Sequence, residues 1–263
     1  MENQVKEQYK NNFSEYLLCL ALDIGEGILR NGGEISRVED TIERICRAYG
    51  AVHVEVFTII SFIDAAIRMP DGSYSYQLRR VKETATNLDM LESLNALSRR
   101  ICREKPTLDE IDRLIHDVKR KKIYPSWMPI VAGAVTTGFF TLFFGSCFGD
   151  ALIAAFVGSV ISLINIFSPP KINGMAKTVI SSFATAMIAG LSIKLGLGED
   201  ASKIIIGSIM LLVPGLSFGT ALRDLLLGDL LSGMLKTLQA CLCALMIAFG
   251  YMLAAVVLGG GVI

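Results

Sequence analysis

Long runs of apolar residues, separated by short polar stretches, make up most of the second half of the chain. An α-helix needs about 20 apolar residues to cross a hydrocarbon core of roughly 30 Å. The pattern therefore predicts five membrane-spanning helices, of which the fourth is short and the fifth is long enough to tilt. Their predicted ranges are 126–147, 151–167, 175–195, 203–218 and 231–258.

The first half of the chain mixes helical and strand-like spacing. The apolar stretch 13–31 predicts a helix that ends at Gly32-Gly33, and Ser36 with Glu39 fits a capping box that opens a second helix. Three short strands, two of them joined in a hairpin, are predicted from alternating apolar and polar residues. The strands are expected at 52–56, 63–69 and 74–78, and helical spacing returns after residue 87.

These patterns predict two domains. Residues 1–122 are expected to form an α/β domain, made of helices and a small sheet with a hairpin. Residues 123–263 are expected to form an all-α polytopic membrane domain of five helices.

Charge divides the chain at the same place, because 39 of the 50 charged side chains precede residue 126. Neither half is basic enough for nucleic-acid binding to be its main function. The lysine and arginine bias puts the basic cluster 119–122 on the inner side, so we expect a cytoplasmic (inner) membrane protein with its N-terminal domain in the cytoplasm. Five spans then place the C-terminus outside. The cluster could also bind anionic membrane lipid, although orientation is enough to explain it.

Residues typical of catalytic and metal centres are sparse. The six cysteines lack zinc-ligand spacing, and His53 and His116 are the only histidines, so we expect neither a metal nor a cofactor. There is no phosphate-binding loop and no nucleophile elbow. Asp23 and Glu26 share a helix face and could act as an acid and base, but solvated helix faces often look like this. We therefore expect no enzymatic activity and assign no catalytic residue.

One segment of the membrane half is unusual, namely residues 211–233 (LLVPGLSFGTALRDLLLGDLLSG). Pro214-Gly215 interrupts an apolar helix, and Arg223, Asp224 and Asp229 follow within the same segment. Broken helices beside ionisable residues form the substrate sites of many transporters. The alternative is a kinked helix that leads into a cytoplasmic loop, with its charges solvated. The spacing alone leaves both interpretations open.

Asn165 is the other polar residue of the predicted spans that we expect to face a cavity. A buried amide is costly without hydrogen-bond partners. The serines and threonines of the spans differ, because their hydroxyls can bond to a carbonyl of the preceding turn.

The order of these parts resembles the threonine/serine exporter family in its split form, and the resemblance covers almost the whole chain. The residues that carry it are Gly32-Gly33-Glu34, Ser36-Arg37-Val38-Glu39, Arg79-Arg80-Val81, Asn87-Leu88, Asn95, Ser98, Arg99, Arg100, Leu212-Val213-Pro214-Gly215, Ala221-Leu222-Arg223-Asp224, Gly228-Asp229 and Ser232-Gly233. Members often carry an asparagine where this chain has Thr220, so a contact made by that asparagine does not transfer.

The resemblance implies an exporter of a small carboxylate-bearing metabolite, either threonine and serine or a C4-dicarboxylate such as succinate. It also implies that this chain is the larger subunit, and that a separate small membrane protein supplies the second transmembrane half. We expect Pro214 and Gly215 to form the helix break and Thr220 and Arg223 to lie near the substrate carboxylate. The acidic residues of the segment, Asp224 and Asp229, would orient that arginine or serve ion coupling.

A second hypothesis is a membrane-anchored sensor or hydrolase whose active part is the soluble domain. An anchor needs one or two spans rather than five, so we favour the exporter. Because the chain has no ATP-binding motif, we expect export to be coupled to an ion gradient.

Overall fold

The computed structural model describes residues 12–82, 84–120, 124–125, 127–169 and 172–259. Within these residues the chain forms ten α-helices and one three-stranded sheet. It divides into two compact units, one of Met1–Ile123 with Leu216–Thr237 and the other of Tyr124–Gly215 with Leu238–Ile263. Lys121 and Lys122 of the predicted basic cluster lie outside the described residues.

Four helices of the first unit flank the sheet in sequence. They are α1 (Phe13–Arg30), α2 (Ile35–Ala48), α3 (Leu88–Glu104) and α4 (Leu108–Arg120). α1 begins where the side chain of Asn12 accepts a hydrogen bond from the amide of Ser14, which caps the first turn. It ends before Gly32, whose φ of +90° is a left-handed conformation that suits glycine.

The sheet lies between α2 and α3 in sequence. Its strands are β1 (His53–Ile59), β2 (Phe62–Arg68) and β3 (Tyr74–Arg80), and they pair antiparallel in the order β1-β2-β3. Ala65 of the central strand pairs with Val56 on one side and with Gln77 on the other. Side chains alternate across the sheet, so that the buried residues of β2 face the core.

The core of the first unit is built around α1, which is buried on nearly all sides. Leu17, Ile24 and Ile28 are fully buried, and they belong to one cluster with Ile42 of α2 and Ile63 of β2. Each such side chain contributes about 1.5–3 kcal/mol relative to exposure in water. The helices therefore supply most of the core, and the sheet covers part of it.

Six helices follow Tyr124 in the described part of the chain. They are α5 (Met128–Phe143), α6 (Phe148–Phe167), α7 (Gly174–Lys194), α8 (Ala201–Ile209), α9 (Gly215–Leu227) and α10 (Leu230–Leu258). α9 from its second residue and the start of α10 belong to the first unit, and the remainder of α10 belongs to the second. α6, α7 and α10 are long and apolar enough to cross a membrane, whereas α5 is apolar but shorter.

Small residues let the helices of the second unit approach closely. A Cβ atom added to Gly158 of α6 would collide with the carbonyl oxygen of Gly133 and the hydroxyl of Thr137, both on α5. The hydroxyl of Thr137 donates to the carbonyl of Ala154 at 2.7 Å, so this contact also joins α5 to α6. Close approach of backbones and hydroxyl bonds across helices are typical of membrane-helix packing.

The expected fold class, an α/β cytoplasmic domain followed by an all-α membrane domain of five helices, is wrong. The chain is mostly helical, with only one small three-stranded antiparallel sheet at residues 53–80, between α2 and α3. Six helices rather than five follow Tyr124, because the apolar segment 203–218 does not continue as one helix. Pro214 cannot donate a backbone hydrogen bond, and α8 ends at Ile209 before α9 begins at Gly215.

The predicted capping box at the start of α2 is also wrong. The residue at the N-cap position is Glu34, which makes no side-chain cap hydrogen bond. Glu39 accepts a hydrogen bond from the amide of Thr58 in β1 at 2.8 Å instead. A partner from a distant part of the chain thus replaces the local one, which only the tertiary fold could reveal.

Candidate functional site

The break between α8 and α9 lies in the segment that the sequence singled out. α8 ends in a tight turn, in which the amides of Leu212 and Val213 both donate to the carbonyl of Ile209, at 2.7 and 3.1 Å. Pro214 follows, and the amide of Gly215 donates to the carbonyl of Val213 at 2.8 Å. The helical hydrogen-bond pattern is therefore interrupted at these residues before α9, which carries Thr220, Arg223 and Asp224.

Arg223 forms an ion pair with Glu34, which lies 189 residues earlier in sequence. Its Nη1 atom is 2.9 Å from Oε1 of Glu34, and both residues belong to the first unit. The second oxygen of Glu34, Oε2, lies 3.8 Å from Nη2 of Arg37. The Glu34 side chain is only 15% exposed, whereas that of Arg223 is 58% exposed. One carboxylate thus lies between two guanidinium groups, one of which remains accessible to water.

Two glycines place Glu34 at this position. Gly32 adopts a left-handed conformation that ends α1, and Gly33 lies so close to α1 that an added Cβ would be 2.8 Å from the carbonyl oxygen of Ile28. A larger residue at position 33 would push the start of α2 away from α1. Close packing of this turn therefore fixes the backbone from which Glu34 reaches Arg223.

A cavity of about 170 Å³ adjoins the ion pair, within the first unit. Its lining consists of Gly32, Gly33, Glu34, Arg37, Thr86, Leu88, Leu91, Leu216, Ser217 and Thr220. The hydroxyl of Thr220 donates to the carbonyl of Ser217 at 3.0 Å, which leaves its oxygen lone pairs able to accept a hydrogen bond. The cavity combines apolar walls with charged and hydroxyl groups, as small-molecule sites generally do.

Asp224 occupies a different position from Arg223, although the two are neighbours in sequence. It is fully buried, and its Oδ2 atom lies 2.5 Å from Nζ of Lys236 on α10. Its other oxygen, Oδ1, is buried and has no hydrogen-bond partner within the described residues. Asp224 therefore ties the end of α9 to α10 and is not part of the cavity lining.

Asp229 lies in the turn between α9 and α10. Its amide donates to the carbonyl of Asp224 at 2.9 Å, and its own carbonyl accepts from the amide of Gly233 at 2.9 Å. Its charge also acts on Glu39 of α2. Burial raises the pKa of the Glu39 carboxyl, the hydrogen bond from the amide of Thr58 lowers it, and the charge of Asp229 raises it further.

Asn165, the remaining predicted site residue, belongs to the second unit, where its side chain is exposed on α6. Pro214 and Gly215 also belong to the second unit. Within the first unit, the structure thus brings together Thr220, which lines the cavity, and Arg223, which pairs with Glu34 of its lining. Asp224 lies near the end of α9, and Asp229 lies in the turn that follows.

Glu34, Arg37 and Lys236 complete this arrangement, and sequence reasoning assigned none of them to the site. Glu34 belongs to the Gly32-Gly33-Glu34 motif, which served only for the family resemblance. Glycines directly before an acidic residue were the available signal, because they often mark a backbone held close to a neighbour.

The described residues include no group of three or more histidine, cysteine, aspartate or glutamate side chains that could hold a metal ion. The polar groups at the cavity are instead suited to binding an organic anion, since guanidinium groups match carboxylates in shape and charge.

Comparison with known proteins gives a consistent result. A family model described as "Putative threonine/serine exporter" matches residues 19–258. The "Probable succinate transporter subunit YjjP" of Klebsiella aerogenes is 22% identical over 231 residues, which cover 86% of this chain and 88% of that protein. The protein of the same name from Escherichia coli (strain K12) is 22% identical over 244 residues, or 91% of this chain and 94% of the relative. No solved structure matches the chain.

Proposed function

Because this chain belongs to the threonine/serine exporter family, we propose that it is a subunit of a secondary exporter for a small carboxylate-bearing metabolite. The relatives with curated names are called succinate transporter subunits, which supports a C4-dicarboxylate such as succinate beside threonine and serine. The proposed location is the cytoplasmic (inner) membrane, with the N-terminal part in the cytoplasm.

The observation that carries this proposal is the cavity beside the Glu34–Arg223 ion pair. Its volume of about 170 Å³ lies below the roughly 300–1,000 Å³ of sites for drug-sized ligands, which suits a metabolite of a few carbon atoms. Thr220 offers a hydroxyl to such a ligand from the cavity wall.

Charge at the cavity points to an anionic cargo. Two guanidinium groups, of Arg37 and Arg223, are matched by the single carboxylate of Glu34. A substrate carboxylate would compete with Glu34 for these groups and form charge-assisted hydrogen bonds with the arginine that it captures. Glu34 thus pairs with the arginines in the absence of substrate. A substrate that displaces its carboxylate from Arg223 would break the ion pair between Glu34 and α9, so that substrate binding would change this contact.

A separate small membrane protein completes the exporter in this proposal. The word "subunit" in the relatives' names supports an assembly of more than one chain. Such a partner would supply further membrane-spanning helices beside α6, α7 and α10, which are the helices long enough to span within the described residues.

The test is efflux of preloaded succinate, threonine and serine from cells that lack their own exporters, with and without the proposed partner. The Arg223→Gln variant should lower efflux about 30-fold or more, because a charged group that pairs with substrate contributes at least about 2 kcal/mol. Arg68→Gln is the matched control, since Arg68 is exposed at the end of β2 and does not line the cavity.

Membrane abundance of each variant is measured in parallel, so that a loss of protein is not scored as a loss of transport. Unaltered efflux by Arg223→Gln at normal abundance would remove this arginine from the site. Export by this chain expressed alone would rule out the requirement for a partner.

A further inference from the structure

A second cavity in the first unit, lying between α2 and α3, shares only Arg37 with the lining of the proposed transport cavity. It has a volume of about 630 Å³, which falls within the usual range for small-molecule sites. Arg37 and Arg44 line it from α2, and Arg99 and Arg103 line it from α3. We call it the arginine cleft.

The arginines line the cleft because of helical periodicity. Arg37 and Arg44 are seven residues apart, so they lie on one face of α2. On the facing helix, Asn95, Arg99 and Arg103 are spaced four residues apart and likewise share one face. Asp40 is the only carboxylate among the lining residues. The lining therefore carries four positive charges against one negative charge.

The neighbouring acidic residues neutralise this cluster only in part. Asp40 pairs with Arg44 at 2.7 Å, and Glu104 contacts Arg103 at 3.0 Å. Arg37 is 3.8 Å from Glu34, a long contact. Across residues 12–82 and 84–120, Arg99 forms no ion pair.

The uncharged groups of the cleft do not offset the positive charge. Burial raises the pKa of the Cys102 thiol, which therefore stays neutral at physiological pH. The hydroxyl of Ser98 donates to the carbonyl of Asn95 at 2.9 Å, so its oxygen is left to accept. Four guanidinium groups in one concave site attract and orient oxyanions.

We propose that the arginine cleft is a binding site for a small organic polyanion with carboxylate or phosphate groups at two or more positions. Arginines on both walls favour a ligand with several anionic groups, which can pair with guanidinium groups of α2 and of α3 at once. This site is distinct from the transport cavity, although Arg37 lines both.

The shared arginine gives the site a regulatory consequence, which rests on the proposed function. A polyanion in the cleft would draw Arg37 away from Glu34, and Glu34 would then pair with Arg223 alone. Binding in the cleft would thus change the occupancy of the transport cavity. By linkage, cargo in the cavity would change the affinity of the cleft by the same factor.

A second basic cavity, of about 720 Å³, is the competing location within the same unit. It is lined by Arg30, Arg79, Arg80 and Lys119, among others. Two of these cations are already paired, Arg79 with Asp23 at 3.2 Å and Arg30 with Glu26 at 3.4 Å. The arginine cleft is favoured because its four cations are all guanidinium groups carried by two facing helices, whereas those of the other cavity come from α1, β3 and α4.

The test is calorimetric titration of the full chain in detergent at low salt, with citrate, fructose 1,6-bisphosphate and succinate as probes. Citrate or the bisphosphate should bind, and Arg99→Gln should weaken that binding about tenfold or more, which corresponds to about 1.4 kcal/mol. Arg100→Gln is the matched control, because Arg100 is adjacent on α3 but pairs with Glu104 and does not line the cleft.

Each outcome decides the proposal. A tricarboxylate that binds more tightly than the bisphosphate identifies carboxylates as the ligand chemistry, and the reverse order identifies phosphates. Absence of binding, or equal loss in Arg99→Gln and Arg100→Gln, overturns the site. Loss in Arg80→Gln but not in Arg99→Gln places the ligand in the other cavity and also overturns it. Neither result depends on whether the chain exports succinate.

Discussion

In the first unit, buried and half-buried carboxylates face cations. Glu34 pairs with Arg223, and Asp224 pairs with Lys236. In the second unit, buried hydroxyl groups donate to backbone carbonyls of neighbouring helices, as Ser182 does to Ile247 at 2.6 Å and Thr137 does to Ala154 at 2.7 Å. The first unit therefore depends on charge pairs, and the second on neutral hydrogen bonds and close helix packing.

This difference concerns the kind of polar contact that each unit buries. A neutral hydroxyl bonded to a carbonyl can be buried at little cost, so it suits helices in a membrane. A carboxylate held between two arginines can exchange partners with a ligand, so it suits a binding site. The predictions below test the contrast, beginning with the largest expected effect.

Breaking the Asp224–Lys236 pair should have the largest effect on stability. Asp224→Ala leaves the ammonium group of Lys236, whose side chain is 13% exposed, without its partner. Loss of one partner from a buried pair costs about 3–5 kcal/mol. We expect a corresponding fall in the denaturation midpoint of the detergent-solubilised protein.

The control for Asp224→Ala is the double variant Asp224→Asn with Lys236→Met, which removes both charges together. It should recover most of the lost stability, because replacing a buried pair by neutral groups is often nearly without cost. If Asp224→Ala alone lowers stability by less than about 1 kcal/mol, the pair is not a structural charge pair of the first unit.

Asp150 tests whether a carboxylate in the second unit plays a similar structural part, although it forms neither an ion pair nor a hydrogen bond with a cation in the described part of the chain. It is fully buried and accepts hydrogen bonds from the hydroxyl of Ser146 at 2.5 Å and from the amides of Glu199 and Asp200 at 2.8 and 3.2 Å. Asp150→Ala should cost about 2–4 kcal/mol, since it leaves buried amides without acceptors.

Glu199→Ala is the control, because Glu199 bonds to Asp150 through its backbone amide, which the substitution keeps, and its side chain is exposed. It should leave the denaturation midpoint nearly unchanged. Equal effects of the two changes would show that charge in this loop, rather than the amide contacts, determines stability.

Close helix packing in the second unit is tested by Gly158→Ala. The added methyl group would collide with the carbonyl oxygen of Gly133 and the hydroxyl of Thr137, so α5 and α6 must move apart. Overpacking of this kind costs about 1–3 kcal/mol. The control is Gly174→Ala at the start of α7, where the added methyl group meets nothing within 4 Å and should be tolerated. Comparing the denaturation midpoints of the two variants in detergent separates the effect of a steric collision from the effect of replacing a helical glycine.

The sequence predicted those features that depend on residues close together in the chain. The helix 13–31 corresponds to α1, and the proline at 214 marks the interruption between α8 and α9, because proline and glycine act on their own backbone. Alternation of side chains located the hairpin.

Pairings between distant residues could not be predicted in this way. Nothing local to Glu34 indicates Arg223, and Glu39 fits a capping box in sequence but bonds to Thr58 in the fold. The fold class was wrong for a related reason. Alternation located the small sheet, but local patterns do not show how much of the core each element supplies, and most of the core proved to be helical.

The smallest expected effect concerns Glu39, and it depends on pH. The pKa of its carboxyl is raised above the ordinary 4.5, and burial is the largest cause. The hydrogen bond from the amide of Thr58 lowers this pKa, and the charge of Asp229 raises it. The folded chain therefore binds this proton more tightly than the unfolded chain, so stability falls as pH rises from the ordinary pKa through the raised one. Glu39→Gln keeps an oxygen for the Thr58 amide but does not titrate. Its melting temperature relative to the original chain should be higher at about pH 7 than at about pH 4.

Glu43→Gln, on the same helix but paired with Arg47 at the surface, should show no such change. A Glu39→Gln difference that is constant across this range, or larger at low pH, would show that the buried carboxyl does not carry the pH dependence, and that charge in the first unit acts only through its ion pairs.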